Sequence, residues 1–248
     1  MQNTPNYNAL RAEGLFDAAL DPLAAWSPEW TETWMGLVQE SQLSQVLEPK
    51  LVALIRLTID VTATHLYAVG VRRHIRSALK LGLSRAEILE VFKLASVIGI
   101  HACALGVPIL QQELADAGHV ADDKPLAERP IATPVCDLMR AQGQFNPLWE
   151  TLYDWDPDYL EKFLDMATEV WKNGILPALW IELLCIAGDA TITHMWAHGT
   201  RRHMQAALRL GATHAQILEV LKIVSLQGIE SCEFGVALLD ESIKQSVA

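Results

Sequence analysis

The feature that most constrains the fold is an internal duplication. When the sequence is compared with itself at an offset of 129 residues, positions 51–110 align without a gap with positions 180–239, and 27 of the 60 pairs are identical. A match of this length indicates two copies of one folding unit. The same offset pairs the tryptophan-containing segments near residues 26 and 155, so each repeat is expected to begin there.

The repeats divide the chain into four predicted segments. These are an N-terminal extension at 1–25, a first unit at 26–118, a linker at 119–154 and a second unit at 155–248. The stretch from Gly118 to Pro134 is polar and rich in proline, which is typical of a linker.

Both repeats predict helices throughout. Ser27 followed by Pro28 is a favourable helix start, because serine caps free N–H groups and proline needs none of its own in the first turn. A nearly all-apolar helix from Lys50 to about Ile59 is expected at the centre. A longer helix from about Thr62 to Leu81 is expected to end at Gly82. No strand pattern with a period of two is found, so the predicted fold class is all-α.

Composition excludes several classes of function. Hydrophobic residues make up 51% of the chain and charged residues 20%, as in globular proteins with a substantial core. The formal net charge is −11 and no basic cluster is dense enough to follow a phosphate backbone, so nucleic acid is not an expected partner. Neither a secretory signal nor a membrane span is predicted, and the four cysteines form no CxxC pair. A cytoplasmic protein without a membrane partner is expected.

A repeated motif around two histidines carries a family resemblance. His74 is followed by Ala-Leu, by Gly82 eight residues after the histidine, and by a Ser-capped helix whose Glu-x-x-Glu motif ends at Glu90. The second repeat shows a closely similar order around His203. This pattern resembles the carboxymuconolactone decarboxylase family, which includes the alkylhydroperoxidase D proteins. The resemblance implies a tandem duplication of that family's helical unit and a homo-oligomer. Because single-unit members commonly form hexamers, a trimer with six units in a ring is expected.

The dithiol of the peroxidase branch is missing from both repeats. That branch has cysteines seven and four residues before the motif histidine, where this sequence has Tyr67 and Gly70, and Trp196 and Gly199. Thiolate chemistry needs a sulfur at such a position. Disulfide-based peroxide reduction of the usual kind is therefore not expected.

The motif histidines are the leading candidates for catalysis. The resemblance implies that His74 and His203 handle protons, and the pKa of imidazole near neutrality suits this role. Tyr67, Gly70 and His74 share one helix face, and Gly70 is expected to leave room for a small ligand. The alternative is that His74 only bonds a neighbouring helix and Gly70 allows close packing.

Further catalytic candidates lie near the motif. Glu90 and Glu219 either form surface ion pairs with Lys93 and Lys222, three residues later, or act as partner bases for the histidines. His198, between the two lost cysteine positions, is a candidate second proton carrier in the second repeat.

Candidate substrate-binding residues flank the motif in both repeats. They are Tyr67, Gly70, Arg72, Arg73 and His65 in the first repeat, and Trp196, Gly199, Arg201, Arg202 and His194 in the second. The arginines either anchor a carboxylate through a bidentate contact or pair with the surplus acidic residues. His65 and His194 stand nine residues before the motif histidines, on the opposite face of a straight helix. They either line an interface or brace the helix start.

The favoured function is a cofactor-independent acid–base enzyme, a decarboxylase or related lyase that acts on a small organic acid or lactone. The resemblance supplies this reaction class. No cofactor and no metal is expected, although His194 and His198 appear one helical turn apart and could chelate an ion. Two alternatives remain: a thiol-dependent antioxidant that uses Cys103 or Cys232, and a non-catalytic protein that binds a small metabolite.

Overall fold

The structure, a computed structural model, describes residues 4–119 and 131–247. In chain order its helices are α1 (Pro5–Ala12), α2 (Asp21–Trp26), α3 (Pro28–Leu43), α4 (Pro49–Val61), α5 (Ala68–Lys80), α6 (Arg85–Val97), α7 (Ile100–Asp116), α8 (Pro134–Ala141), α9 (Glu150–Trp155), α10 (Pro157–Ala167), α11 (Glu169–Lys172), α12 (Ala178–Ala190), α13 (Ala197–Arg209), α14 (His214–Ser225) and α15 (Ile229–Val247). The described ranges contain helices and no strand, which confirms the all-α prediction. Part of the predicted linker, residues 120–130, lies outside the described ranges.

The chain forms two compact units that do not coincide with the two repeats. One unit consists of Met1–Ala95 with Ile175–Ala248, and the other of Ser96–Gly174. The first unit therefore combines α1 to α5 and most of α6 with α12 to α15. The second unit contains α7 to α11.

The duplication extends further than the sequence comparison predicts. Helices α1 and α8 begin 129 residues apart, and so do α2 and α9. The predicted N-terminal extension and the later part of the predicted linker are therefore equivalent helical segments of the two repeats. A weaker signal for this was present, because Pro5, Arg11 and Phe16 recur at the same offset.

The N-terminal segment completes the core of the first unit. Its buried side chains pack in one cluster with residues of α3 and α15: Tyr7, Leu10, Leu15, Phe16, Leu20, Ala24, Met35, Val38 and Ile229. Burial of a large apolar side chain contributes about 1.5–3 kcal/mol. The segment is thus an integral part of the folded unit.

Helices α4 and α12 are central and equivalent in the repeats, as their apolar sequences predict. Their largest apolar side chains are buried, including Leu54, Ile55, Leu183 and Leu184. The helices approach closely, since a Cβ added at Gly188 would lie 3.5 Å from Thr58 Cγ2. Beyond their ends, the equivalent hydroxyls of Thr64 and Thr193 lie 3.2 Å apart. The two repeats therefore meet through matching residues.

The helix predicted from Thr62 begins only at Ala68, so this boundary was wrong. The intervening residues form a turn in which the Tyr67 N–H donates to the Asp60 carbonyl at 2.8 Å. Leu66 has a φ of 50°, in the left-handed region that a leucine rarely adopts. The sequence pattern missed the turn because it contains no glycine or proline. The second repeat has the same turn, with Met195 at a φ of 49°.

One segment within the described ranges, Arg85–Asp116, is long and apolar enough to cross a membrane, with a mean hydropathy of 1.8 over its most apolar window. The segment comprises α6 and α7, and 39% of the window is buried. Buried core helices reach the same values.

Candidate active site

The motif histidine of the first repeat is paired with an aspartate from the neighbouring helix. His74 Nδ1 on α5 lies 2.6 Å from Asp60 Oδ2 near the end of α4. The two side chains are 11% and 2% exposed. Asp60 was not among the predicted site residues, although the aspartate is identical in both repeats within a predominantly apolar helix.

The Asp60 side chain packs directly against Gly70, so the glycine does not leave space for a ligand. A Cβ at Gly70 would lie 2.2 Å from Asp60 Oδ2 and 2.8 Å from Tyr67 Cδ1. In the second repeat a Cβ at Gly199 would lie 2.0 Å from Asp189 Oδ2. The predicted opening in front of the histidine is filled by a carboxylate, because α4 and α5 pack closely at the glycine.

Two glutamates from the last helix of the second repeat reach the first repeat. Glu230 on α15 is hydrogen-bonded to His65 Nε2. Glu233, one turn later, accepts a hydrogen bond from the Tyr67 hydroxyl at 2.9 Å and another from the Arg73 guanidinium. The predicted binding residues His65, Tyr67 and Arg73 are thus brought together by α15.

His65 and His74 serve the same cluster, contrary to the opposite-face argument. His65 lies in the turn before α5, so the geometry of a straight helix does not apply to it. The Asp60 and Glu230 side chains are neighbours, with carboxyl oxygens within 4.8 Å of each other, and each affects the pKa of the other. They connect the two histidines through a pair of carboxyl groups.

Burial changes the ionisation of this cluster. Loss of solvent raises the pKa of Asp60 to about 7. Loss of solvent, and then the neighbouring Asp60 carboxylate, raise the pKa of Glu230 to about 8. Burial, together with the positive charges of Arg56 and Arg73, holds the pKa of His74 well below its usual value. The His74 imidazole is therefore neutral at neutral pH.

Arg56 on α4 is a further site residue that sequence analysis missed. Its Nη2 is buried and has no hydrogen-bond partner among the described residues. Burial lowers the pKa of Arg56 to about 10, so the guanidinium stays charged at neutral pH. A buried charged donor is costly unless it is paired, and this one is suited to bind an anion. The second repeat has Cys185 at the equivalent position.

Two cavities meet at these residues. The smaller, of about 60 Å³, is lined by Arg56, Asp60, Arg73, His74 and Glu230 together with apolar side chains. The larger, of about 770 Å³, shares Arg56, Arg73 and His74. A volume of this size suits a small organic ligand, which could contact both the unpaired guanidinium and the imidazole.

The remaining arginine candidates do not provide a free anchor in the first repeat. Arg73 is buried against Glu233 and also lies 3.4 Å from Asp17 Oδ2. Arg72 and its counterpart Arg201 are exposed, and neither lines the two cavities. Among the described residues, Arg56 is the arginine that has a buried nitrogen without a hydrogen-bond partner.

Glu90 and Glu219 form ion pairs, but not on the surface as predicted. Lys93 Nζ donates to Glu90 Oε1 at 2.9 Å, and Lys222 Nζ to Glu219 Oε2 at 3.2 Å. Both carboxylates are buried, because α6 and α14 turn this face inward.

The second repeat holds its histidine differently. His203 Nδ1 lies 2.7 Å from Glu182 Oε2, whereas Nε2 lies 3.9 Å from Asp189 Oδ2. Glu182 replaces Ala53 of the first repeat, and Arg202, the counterpart of Arg73, is half-buried. The imidazole is therefore oriented by a glutamate that the first repeat lacks.

His194 and His198, the predicted chelating pair of the second repeat, are not one turn apart on a single helix. His194 lies in the turn before α13, and His198 is exposed in its first turn. The Trp196 ring lies 6.5 Å from the His194 ring and 5.4 Å from the His198 ring. The one-turn argument fails because the two histidines are not on one helix.

The four cysteines are free thiols. Burial raises the pKa of Cys136 to about 12 and that of Cys185 well above its usual value. Neither is therefore a thiolate at neutral pH.

Comparisons with known proteins agree with this architecture. The sequence model of the carboxymuconolactone decarboxylase family matches residues 28–106. A crystal structure of a provisionally assigned gamma-carboxymuconolactone decarboxylase subunit from Burkholderia xenovorans LB400 is similar over 99% of this chain and 100% of that chain, with 34% identity and a TM-score of 0.88. No curated protein sequence matches. The chain therefore belongs to the carboxymuconolactone decarboxylase family.

Proposed function

We propose that the protein is a decarboxylase or related lyase that acts on a small organic acid or lactone in the first repeat. The family membership supports a decarboxylase-like or related enzyme. The observation that carries the finer proposal is the buried Nη2 of Arg56, which has no partner among the described residues and lines the same cavities as His74. A guanidinium in such a place can hold a carboxylate or oxyanion of the ligand.

His74 handles the proton in this proposal. The contact between Asp60 and Nδ1 orients the ring, which leaves Nε2 as the atom that can exchange a proton with a ligand. When the carbon–carboxylate bond breaks, carbon dioxide leaves and the electron pair passes into the conjugated system of the substrate. Arg56 stabilises that charge, and His74 transfers a proton from solvent to the carbon. The substrate itself accepts the electrons, so the step requires no organic cofactor.

The second repeat lacks important parts of this arrangement. Cys185 replaces Arg56, and the positions equivalent to Glu230 and Glu233 hold His101 and Ala104. We therefore assign the reaction to the first repeat.

The proposal is tested by comparing His74→Ala with His203→Ala in an assay of carbon dioxide release from gamma-carboxymuconolactone. Loss of a proton-transfer group typically costs about 10²–10⁴-fold in rate, so His74→Ala is expected to lower kcat by at least about 100-fold. His203→Ala is expected to retain most of the wild-type rate. Thermal melting of both variants serves as the control for folding.

Three outcomes of this assay contradict the proposal. Loss of activity only in His203→Ala would place the reaction in the second repeat. Full activity in both variants would remove the histidines from the mechanism. Thermal stabilisation of the wild-type protein by the lactone without product would favour a binding protein.

We further propose that the protein forms a homotrimer. Equivalent positions on α7 and α15 expose large apolar side chains, which are Leu105, Ile109 and Leu110, and Phe234, Leu238 and Leu239. Exposed apolar patches of this kind often mark interfaces. Light scattering after gel filtration is expected to give about three times the 27.5 kDa of one chain, and Phe234→Glu is expected to reduce that mass. A wild-type protein that elutes as a monomer would contradict the proposal.

A further inference from the structure

Three potential metal ligands converge beside the smaller cavity. Asp60 at the end of α4, His65 in the following turn and Glu230 at the start of α15 each offer one ligand atom, and these atoms all lie within 4.8 Å of one another. Zinc binds imidazole nitrogen and carboxylate oxygen at about 2.0–2.2 Å. A single ion can therefore contact all three side chains with only small side-chain adjustments.

The backbone holds the first two ligands in place. The N–H of His65 donates to the Thr62 carbonyl and that of Tyr67 to the Asp60 carbonyl, both at 2.8 Å. The His65 ring stacks on the Tyr67 ring, with 5.6 Å between the centroids. Between them, Leu66 adopts its left-handed conformation. Strain of this kind in a non-glycine residue occurs often at functional sites.

The charges around the cluster leave an excess of carboxylates. Asp60, Glu230 and Glu233 are three buried or nearly buried carboxyl groups, and among the described residues two guanidinium groups, Arg56 and Arg73, line the same cavity. When all three carboxyl groups are ionised, as binding of a cation requires, and the histidines are neutral, these five charged groups carry one net negative charge. A divalent cation, together with one carboxylate ligand at Arg56, would bring this charge to zero. Buried charges are tolerated only when they are balanced in this way.

When the two repeats are exchanged, the three equivalent positions also hold ligand-type residues. Asp189 corresponds to Asp60, His194 to His65 and His101 to Glu230. The two repeats differ at more than half of the 60 aligned positions. Residue types that suit a metal have nevertheless been retained at these three places.

We propose that Asp60, His65 and Glu230 bind one divalent transition-metal ion of the zinc or manganese class. Mixed nitrogen and carboxylate ligands suit such ions. Asp60 and Glu230 also line the cavity that contains Arg56 and His74, so an ion held by them would lie beside the proposed ligand site. The ion would there bind an oxygen of an organic acid, as a Lewis acid beside the guanidinium. This inference goes beyond the proposed function and departs from the expectation of no metal.

The test uses the full-length protein and Zn²⁺ alone. After treatment with a chelator, the protein is titrated with Zn²⁺ by calorimetry, and the metal retained after desalting is counted by mass spectrometry. The wild-type protein is expected to bind one equivalent more than His65→Ala or Glu230→Gln. The affinity at this site is expected to fall by at least about 100-fold in either variant, since each removes a direct ligand.

Two controls separate a specific site from other causes. His214→Ala removes an exposed imidazole at the start of α14 and is expected to leave the stoichiometry unchanged. If His65→Ala fails to fold, His65→Gln, which keeps more of the side-chain volume, takes its place. The visible absorption of bound Co²⁺ is then expected in the wild-type protein and is expected to be lost in that variant.

Two results would overturn the metal proposal. One is a folded wild-type protein that retains no Zn²⁺ after desalting, which would show that a proton alone balances the cluster. The other is retention of the same number of Zn²⁺ equivalents by Glu230→Gln and the wild-type protein. Both results leave the comparison of His74→Ala with His203→Ala unaffected, so failure of the metal site and failure of the proposed reaction are distinguishable.

Discussion

Gly70→Ala is expected to lower the melting temperature by about 6–20 °C. The new methyl group would lie 2.2 Å from Asp60 Oδ2 and 2.6 Å from Asp60 Cγ, so the buried carboxylate would have to leave His74 Nδ1. Overpacking that also separates a buried polar pair costs about 3–5 kcal/mol, and each kcal/mol lowers the melting temperature of a protein of this size by about 2–4 °C. Thermal unfolding followed by circular dichroism measures the effect.

Gly235→Ala on α15 is the matched control for this substitution. Gly235 is also a helical glycine, but nothing lies within 4 Å of an added Cβ. Alanine in an open helical position stabilises by about 0.5–1 kcal/mol relative to glycine, so this variant is expected to melt at or slightly above the wild-type temperature. Equal melting temperatures for Gly70→Ala and Gly235→Ala would show that Asp60 does not occupy the space in front of Gly70.

In the proposed reaction with gamma-carboxymuconolactone, Arg56→Met is expected to lower kcat/KM by about 10²–10³-fold, the usual loss when one buried donor to a developing anion is removed. The melting temperature is expected to change little, because methionine retains much of the side-chain volume. The lost attraction between Arg56 and Asp60 is offset by the removal of a buried nitrogen that has no partner among the described residues. Steady-state kinetics and thermal unfolding of the same preparation measure both effects.

Arg72→Met is the control for the loss of one arginine from this region. Arg72 is exposed, and both activity and stability are expected to remain near wild type. An Arg56→Met variant that turns over substrate at the wild-type rate would remove the anion anchor from the proposed mechanism. A variant that is both inactive and strongly destabilised would assign Arg56 a structural role instead.

The candidate site shows which of its residues a local sequence pattern can single out. The motif pattern identified His74, and the structure places it in a cluster with the predicted residues His65, Tyr67 and Arg73. These residues could be predicted because they lie close together in the chain and three of the four have an identical counterpart in the second repeat. Their contacts could not be predicted, since the helical periodicity was extended across a turn that a left-handed Leu66 creates.

The residues that sequence analysis missed come from other elements. Asp60 and Arg56 belong to α4, whose apolar pattern marks it as a core helix and gives no sign of which polar side chains face a cavity. Glu230 is 165 residues from His65 and reaches it only because α15 returns to the first repeat. Contacts over such separations depend on how helices pack, and a single sequence does not specify that packing.

Local interactions were therefore sufficient to establish that this chain is a duplicated, all-helical member of its family. Helical periodicity and end capping depend on residues that are close together in the chain, so the sequence reveals them directly. The 129-residue duplication is found by comparing the sequence with itself. The tertiary structure alone decided that a carboxylate fills the space beside Gly70, that Arg56 presents a buried charge to the cavity and that α15 supplies Glu230. These features arise where segments that are distant in the chain pack together and exclude water. The energy of a buried charge depends on all of its neighbours, and the tertiary packing determines which neighbours these are.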